Sequence, residues 1–444
     1  MNILVVGGGA REHAICDAVN RSKDAKLFSV MKNLNPGIQI LSEDVLQENE
    51  KNIEAVVNFA KEKEIDMVII GPEAPLESGI VNDLNKAGIK SCSPTKEAAR
   101  IETDKEWMRN LLKKYKIPGQ LKYETFVDVN KANKFVERLN GEVAIKPIGL
   151  TGGKGVRVSG DHFTGIDGAM DYIKEVIDKK IGGKARVLIE EKAVGEEFTL
   201  QAFSDGTTIL PLHAVQDHKR LLPDDKGPNT GGMGSYSCDN GLLPFLTKSD
   251  YEEGAAILQK AIEALDKEGC RYIGPIYGQF MLTMDGIKII EINARFGDPE
   301  AMNVLPVLET DFVDICKSMI DGNLGRKKLK INNKSTVCKY VVPEGYGFKS
   351  MIGEKIFVNE NEIASTGSRL FYASVNKGND YVYTTSSRSL AVVGISDSLS
   401  NAENICEKAL KHVKGDHIFI RHDIGTSELI DKRIQHINKI RGIN

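Results

Sequence analysis

Three oxygen-bearing side chains at the end of an apolar stretch carry the strongest chemical signal in this sequence. In Ile276-Tyr277-Gly278-Gln279-Phe280-Met281-Leu282-Thr283-Met284-Asp285-Gly286-Ile287-Lys288-Ile289-Ile290-Glu291-Ile292-Asn293, two strand-like runs flank Met284-Asp285-Gly286. These three read as a hairpin loop in which Gly286 takes the left-handed position. A loop of that length sets Thr283 opposite Ile287, Met281 opposite Ile289 and Gln279 opposite Glu291. Asn293 shares the face of Glu291, because side chains alternate along a strand. An amide, a carboxylate and a second amide thus converge as hard oxygen donors, which suit Mg²⁺ held jointly with phosphate oxygens. The plainer reading, polar side chains facing water, fits less well. Ile287 and Ile289 share the face of Glu291 while Ile290 and Ile292 take the other, so the strand is buried on both sides. A buried carboxylate needs a partner or a metal. Arg295-Phe296-Gly297-Asp298-Pro299-Glu300 then adds a cation and further acids close by.

Other stretches offer anion-binding chemistry. Gly149-Leu150-Thr151-Gly152-Gly153-Lys154-Gly155-Val156 follows the strand-like Val143 to Pro147 and reads as a phosphate-gripping loop, its glycines exposing N–H groups and Lys154 adding charge. It is no Walker loop, since Ile148 and Gly155 stand where that motif needs Gly and Ser or Thr. Gly7-Gly8-Gly9 turns a strand into a helix beginning near Arg11. A dinucleotide fingerprint would need glycine where Glu12 stands and an acid after the second strand, where Met31 and Lys32 follow Val30. What remains is a helix N-terminus able to take an anion, with Arg11 beside it. The alternative for that triplet is a plain tight turn. Gly71-Pro72-Glu73 ends a parallel strand on the same carboxyl edge, where such sheets bind ligands. Arg186 to Glu191 is a strand closing on two acids, which read either as surface charges or as the start of a connector between two lobes at Lys192-Ala193-Val194, with Glu197 reaching a ribose hydroxyl. The polar stretches Gln216-Asp217-His218-Lys219-Arg220 and Pro228 to Gly234 read as loop-rich segments, of a kind that is either functional or disordered. His218 alone reads as a hydrogen-bonded structural histidine.

These residues need several domains to position them. At 444 residues the chain has room for two to four, each with a real core. Its formal net charge of −3 gives no reason to expect nucleic acid or an anionic membrane as partner. The seven scattered cysteines contain no Cys-x-x-Cys pair, which suggests a reducing compartment and no zinc site. No stretch is long enough to cross a bilayer as a helix, and a cytoplasmic location is expected. Strands at Asn2–Val6, Lys26–Val30 and Met67–Ile70 alternate with helices, one of them from about Asn52 to Lys63, so residues 1–103 are expected to form a doubly wound parallel-sheet domain. Residues 104–325 form the central two-lobed unit, with a small lid lobe at about 119–190. Helices are expected from about 103 to 115, 251 to 267 and 310 to 321. Residues 326–444 read as a separate, mostly β domain with a helix at about 399–413.

The motifs Gly9-Ala10-Arg11-Glu12-His13-Ala14, Gly71-Pro72-Glu73-Ala74-Pro75-Leu76, Gly152-Gly153-Lys154-Gly155-Val156, Gln216 to Arg220, Gly227 to Gly234, Glu291 to Glu300 and Arg421-His422-Asp423-Ile424-Gly425 together resemble the glycinamide ribonucleotide synthetases, ATP-grasp ligases of purine biosynthesis. The resemblance runs nearly end to end. It implies an N-terminal substrate-binding domain, a two-lobed ATP-grasp centre and a C-terminal domain. It also implies the ligation of glycine to 5-phosphoribosylamine, with ATP as co-substrate, through glycyl phosphate. Lys105, Lys146 and Lys154, with Gly152, Gly153 and Gly155, would contact ATP phosphates. Glu191 and Val194 would hold adenine and Glu197 the ribose. Gln279, Glu291 and Asn293 would bind Mg²⁺ or Mn²⁺. Gly9, Arg11, Glu12, Asn35, Gly37, Gly71 and Glu73 would hold phosphoribosylamine, with Asp217, Asn229 and Gly297 also contacting substrate. Arg295, Asp298, Lys219 and Arg220 would serve catalysis. The protein is expected to be a monomer or a weak oligomer. A sibling ATP-grasp ligase would lack these particular motifs, and a nicotinamide oxidoreductase would need the missing glycine and acid.

Overall fold

Short apolar runs separated by helices build a parallel sheet at the N-terminus. In the computed structural model, which describes residues 1–149 and 155–442, strands β1 (Asn2–Val6), β2 (Lys26–Met31), β3 (Asp44–Gln47), β4 (Met67–Ile70) and β5 (Lys90–Ser91) lie in the order β3-β2-β1-β4-β5. All neighbours are parallel. The strand order reverses between β1 and β4, so the crevice at their carboxyl ends is the switch point of a doubly wound sheet. Gly7 to Gly9 leave β1 there and Gly71-Pro72-Glu73 leave β4 there, as their spacing implied. Strand β3 and the helix Pro36–Leu41 are not signalled by the sequence. Asn35 starts that helix, its Oδ1 accepting the N–H groups of Gly37 and Ile38.

The small lobe has its own core. Strands β6 (Tyr123–Phe126), β7 (Val143–Pro147), β8 (Arg157–Val158) and β9 (Val187–Glu191) pair antiparallel in the order β6-β9-β7-β8. Helices Val129–Arg138 and Gly165–Asp178 bury Phe135, Val136, Tyr172, Ile173 and Val176 against one face of that sheet. The other face is left to the cleft.

The large lobe and the C-terminal region share one antiparallel sheet. Its large-lobe strands are β10 (Glu196–Asp205), β11 (Ile209–Asp217), β14 (Gly234–Ser237), β15 (Ile273–Thr283) and β16 (Gly286–Asn293), while β12 (Arg220–Leu222) and β13 (Lys226–Asn229) form a separate small hairpin. The C-terminal region adds β17 (Ser335–Pro343), β19 (Arg369–Tyr372), β22 (Leu390–Ser396) and β24 (Ile418–Ile420) to the shared sheet, while β18 (Lys355–Val358), β20 (Val375–Lys377), β21 (Val382–Thr384) and β23 (Val413–Lys414) form a sheet of their own in the order β20-β21-β18-β23. The order β16-β15-β10-β11-β14-β17-β22-β19 passes from one region into the other through the β14–β17 pairing. The C-terminal region is therefore rich in β-structure, as expected, but the sheet does not break near residue 325. Helix Ser427–Arg441, unforeseen in the sequence, returns to bury Ile430 and Ile437 in the large-lobe core.

The hairpin β15–β16 reaches its expected alignment by another route. Its loop is shorter by one residue: Thr283 pairs with Gly286, and Phe280 with Ile289. The register then shifts, leaving Ile290 as an extra residue, and Gln279 faces Glu291. A bulge thus offsets the shorter loop. Among the described residues the seven cysteines are free and no helix is long and apolar enough to cross a membrane.

Candidate functional site

One face of the large-lobe sheet forms the floor of a cleft. Thr199 on β10 pairs with Gln279 on β15, and Gln279 pairs with Glu291 on β16. Alternation places Glu197, Tyr277 and Asn293 on the same face. Gln279 Nε2 donates to Glu197 Oε2 at 2.5 Å, and Asn293 Nδ2 donates to Glu291 Oε1 at 3.1 Å. Both amides spend their N–H groups on carboxylates, which turns their carbonyl oxygens to other uses. Gln279 Oε1 is buried with no partner among the described residues. Burial pushes the Glu291 carboxyl up, but Lys219, the Asn293 amide, Lys146 and Lys105 outweigh it and bring it from 4.5 down to about 2. An ionised carboxylate, a neighbouring amide and an orphaned buried carbonyl oxygen fit a hard divalent cation.

Cations line the walls of a cavity of about 790 Å³ between floor, lid lobe and N-terminal domain. Lys146, on β7, lies 2.7 Å from Glu190 and donates to Ile290 O at 3.0 Å. Lys105 donates to Gly149 O at 2.9 Å. Burial lowers its pKa, opposed chiefly by Glu291. Lys219 stands 3.5 Å from Glu197, and Arg220 reaches across to Asp161 of the lid lobe at 2.5 Å. Glu191 lines the cleft but its carboxylate turns toward Lys122. Asn229 lines it from β13. Gly152, Gly153 and Lys154 lie outside the described residues. Gly155 accepts from Tyr172 Oη at 2.7 Å.

The segment after β16 closes the far end. Arg295 Nη2 lies 2.9 Å from Glu102 and its Nε 3.6 Å from Glu73. Glu102 also accepts from Ala294 N–H at 2.7 Å. Gln201 on the cleft floor accepts from Gly297 N–H at 2.7 Å, and Tyr277 donates to Glu300 at 2.9 Å. Asp298 is held by Tyr340 and, at 3.0 Å, by Arg388, both from the C-terminal region. Asp217 and Glu300 face each other's field in a buried setting, and burial raises both carboxyls. Asp217 Oδ1 has no partner among the described residues. Sequence reasoning missed Glu102, Tyr340 and Arg388 as site residues. Glu102 is a buried acid on the helix Lys96–Thr103 whose burial no local pattern signals. The other two lie in a segment with no local motif.

Several expected ligands do something else. Glu12 is buried: its Oε2 accepts from Gly9 N–H at 2.7 Å and its Oε1 from Arg11 Nε at 2.6 Å. A Cβ at Gly71 would lie 2.1 Å from that carboxylate, so the glycine makes room for Glu12. The chain's own acid thus takes the N–H of the residue that precedes the helix Ala10–Asn20. Asn35 is fully buried and donates to Gly8 O, Tyr372 O and Ala373 O, and a Cβ at Gly37 would strike the His13 ring at 1.9 Å. His13 Nδ1 in turn accepts Tyr372 N–H at 2.9 Å. Asn35 and Gly37 therefore dock the N-terminal domain on β19 and do not line the main cleft. Val194 is 56% exposed, with Ala193 and Gly195 lining the cleft on either side. Gly297 is buried against Tyr277 and Glu300. His218 is buried with Nδ1 3.2 Å from Asp225, as a hydrogen-bonded structural histidine would be.

Known proteins resemble this chain along nearly its whole length. Family models for phosphoribosylglycinamide synthetase match in three parts: the N domain over residues 1–102, the ATP-grasp (A) domain over 103–301 and the C domain over 336–427. The phosphoribosylamine–glycine ligase of Methanothermobacter thermautotrophicus is 52% identical over 441 residues, covering 99% of this chain and all of that protein. That of Methanobrevibacter smithii is 48% identical over 440 residues, with 99% and 100% coverage. The crystal structure of the Thermotoga maritima phosphoribosylamine–glycine ligase superposes with a TM-score of 0.80 at 25% identity, over 95% of this chain and 100% of that one. The biotin carboxylase domain of Hydrogenobacter thermophilus 2-oxoglutarate carboxylase has a TM-score of 0.76 at 15% identity, over 99% and 97%, and shares the fold.

Proposed function

The chain belongs to the phosphoribosylglycinamide synthetase family of ATP-grasp ligases, and from that premise we propose that it joins glycine to 5-phosphoribosylamine through glycyl phosphate, releasing ADP and phosphate. The observation that carries the reading is the single sheet face on which Glu197, Gln279, Glu291 and Asn293 meet beneath Lys105, Lys146 and Lys219. That arrangement supports the reading, since γ-phosphoryl transfer demands acids for a divalent cation beside cations for a polyphosphate tail.

Glycine's carboxylate is a poor acyl donor. In the first step one of its oxygens forms a bond to the γ-phosphorus and the bond to ADP breaks. Gln279, Glu291 and Asn293 would hold Mg²⁺ or Mn²⁺, which when bound neutralises charge on the transferring group. Lys105 and Lys146 draw the phosphate tail to the lid lobe by charge. Asp217 and Glu300, whose carboxyls burial raises, form a corner that glycine's ammonium group would ionise on binding, and Arg295, paired with Glu102 and Glu73, suits its carboxylate. In the second step the sugar amine attacks the acyl carbon, phosphate leaves with the carboxylate oxygen, and the amine gives up a proton. Arg11 and Glu73, which line the N-terminal wall, would orient the sugar. Glu12 already takes the Gly9 N–H, so the sugar phosphate would meet the first N–H groups of the helix Ala10–Asn20 and Arg11. No side-chain nucleophile is required; positioning and exclusion of water suffice.

Glycine labelled with heavy oxygen in its carboxylate tests this directly. One label per turnover should appear in inorganic phosphate, with ADP as the nucleotide product and ATP use dependent on both glycine and phosphoribosylamine. Pyrophosphate, unlabelled phosphate, or ATP consumption driven by bicarbonate in place of glycine would overturn the reading.

A further inference from the structure

We infer that Arg109 is a positioning residue for phosphoryl transfer, fixing Lys146 and the strand of Glu291 in one geometry although it does not line the cleft; the inference rests on the ligase reading above. Arg109 is fully buried, and burying a guanidinium is costly unless it is paired and hydrogen-bonded; Nε and Nη2 are so engaged, while Nη1 has no partner among the described residues. Its Nε lies 2.6 Å from Glu190 Oε1, and its Nη2 donates to Ile289 O at 2.9 Å and to Ile290 O at 3.2 Å. The other oxygen of Glu190 lies 2.7 Å from Lys146 Nζ, which itself donates to Ile290 O at 3.0 Å. Arg109, Glu190, Lys146 and Ile290 therefore close a ring. It joins the helix Lys105–Lys114, two strands of the lid lobe and β16 of the large lobe.

The ring meets a need created by the sequence. Ile290 is the residue that bulges to bring Glu291 opposite Gln279. A bulge withdraws backbone groups from the ladder, and a buried carbonyl so released needs a donor. Arg109 and Lys146 supply it. The same helix begins at Lys105, one turn before Arg109 and on the same face. One guanidinium thus registers Lys105, Lys146 and the strand of Glu291 and Asn293 against each other. A planar fork can serve a carboxylate and two carbonyls together, which a lysine ammonium cannot do with equal fixity.

Arg109→Lys, Arg109→Met, Glu190→Gln and the double variant Arg109→Met/Glu190→Gln would test this in the full chain. The readouts are Mg²⁺–ATP binding by calorimetry without other substrates, steady-state rates, and thermal unfolding. Arg109→Met should lower kcat by about 100-fold, the cost of misplacing reacting groups by about 1 Å. It should also weaken Mg²⁺–ATP binding while the KM for glycine stays within about twofold. Arg109→Lys should recover part of the loss. The double variant should be no worse than the poorer single one, because both break one ring. Should Arg109→Met fail to fold, Arg109→Lys decides alone: wild-type kcat and Mg²⁺–ATP affinity in that folded variant would overturn the inference. Losses that add in the double variant, or a defect confined to glycine KM, would overturn it too. A wild-type protein that binds Mg²⁺–ATP but makes no ADP from glycine and phosphoribosylamine would sink the ligase reading, while the binding comparison would still judge Arg109.

Discussion

Glu291 shows how much of the chemistry rests on a single side chain. It is the acid among three oxygen donors on its sheet face, and Lys219, Lys146 and Lys105 surround it with positive charge. Glu291→Gln keeps shape and hydrogen bonding to Asn293 but removes that charge. The expected outcome is a folded protein whose rate falls by roughly 10³-fold at saturating Mg²⁺, from several kcal/mol of lost charge neutralisation. Near-normal kcat would remove Glu291 from the site. The pH dependence follows with its sign. The folded carboxyl lies below its ordinary range, so the stability it contributes is complete above about 4.5 and is lost as pH falls toward about 2. Between about pH 6 and pH 8 the Mg²⁺ concentration for half-maximal rate should therefore stay flat as far as Glu291 is concerned. A titration of Mg²⁺ at several pH values checks this, and a steep change centred in that interval would contradict it. At this scale the floor residues were legible, since alternation on a strand is a local rule. Glu102, Tyr340 and Arg388 were not, because their partners Arg295 and Asp298 lie far along the chain and only the fold brings them near.

Elements set the accuracy of that face. The hairpin β15–β16 uses a two-residue connection and a bulge where the sequence suggested a three-residue loop, yet Gln279 meets Glu291 either way. The existence of the hairpin was legible from its apolar runs and glycine. The bulge was not, because nothing local distinguishes Ile290 from Ile289 or Ile292. Its stabilising donors, Arg109 and Lys146, lie well over one hundred residues away. Deleting Ile290 tests the bulge as an element. The ladder would become regular from Thr283 onward, with Glu291 still opposite Gln279 and Asn293 opposite Tyr277 on the cleft face. What would be lost is the Ile290 carbonyl that Arg109 and Lys146 share. Activity should fall by about 100-fold through the misplaced Lys146, and the melting temperature should drop, since two buried cations would each lack an acceptor. A deletion variant with wild-type turnover and stability would show that the bulge does not position Lys146.

At the scale of the whole molecule, the regions visible in the sequence are less separable than their patterns suggest. Alternating strands and helices correctly marked a parallel N-terminal domain, and the switch from them marked the antiparallel centre. The C-terminal region read as a separate domain, because strand pairing between β14 and β17 leaves no signal in either segment. That pairing makes one continuous sheet. Other ties cross the same line. Tyr340 and Arg388 hold Asp298, and Arg421 and Arg433 both bind Asp225 beside the β12–β13 hairpin. Asn35 and His13 fasten the N-terminal domain to β19. A fragment of residues 1–325 would lack all of these partners. Strand β14 would become an edge with unpaired backbone groups, a template for association with other chains. Asp225 would lose its two arginines, and the loop carrying Asp298 would lose its clamp. Such a fragment is expected to aggregate, or to unfold without a single cooperative transition, and to turn over no substrate. Adding residues 326–444 during refolding should restore part of the activity, because the missing strand and the two arginines return together. Circular dichroism melting and the ligase assay, run on the fragment alone and with its complement, check this. A soluble fragment with a sharp transition and wild-type kcat would mean that the shared sheet is a contact between independent domains, and that Arg388 and Tyr340 are dispensable to the placement of Asp298.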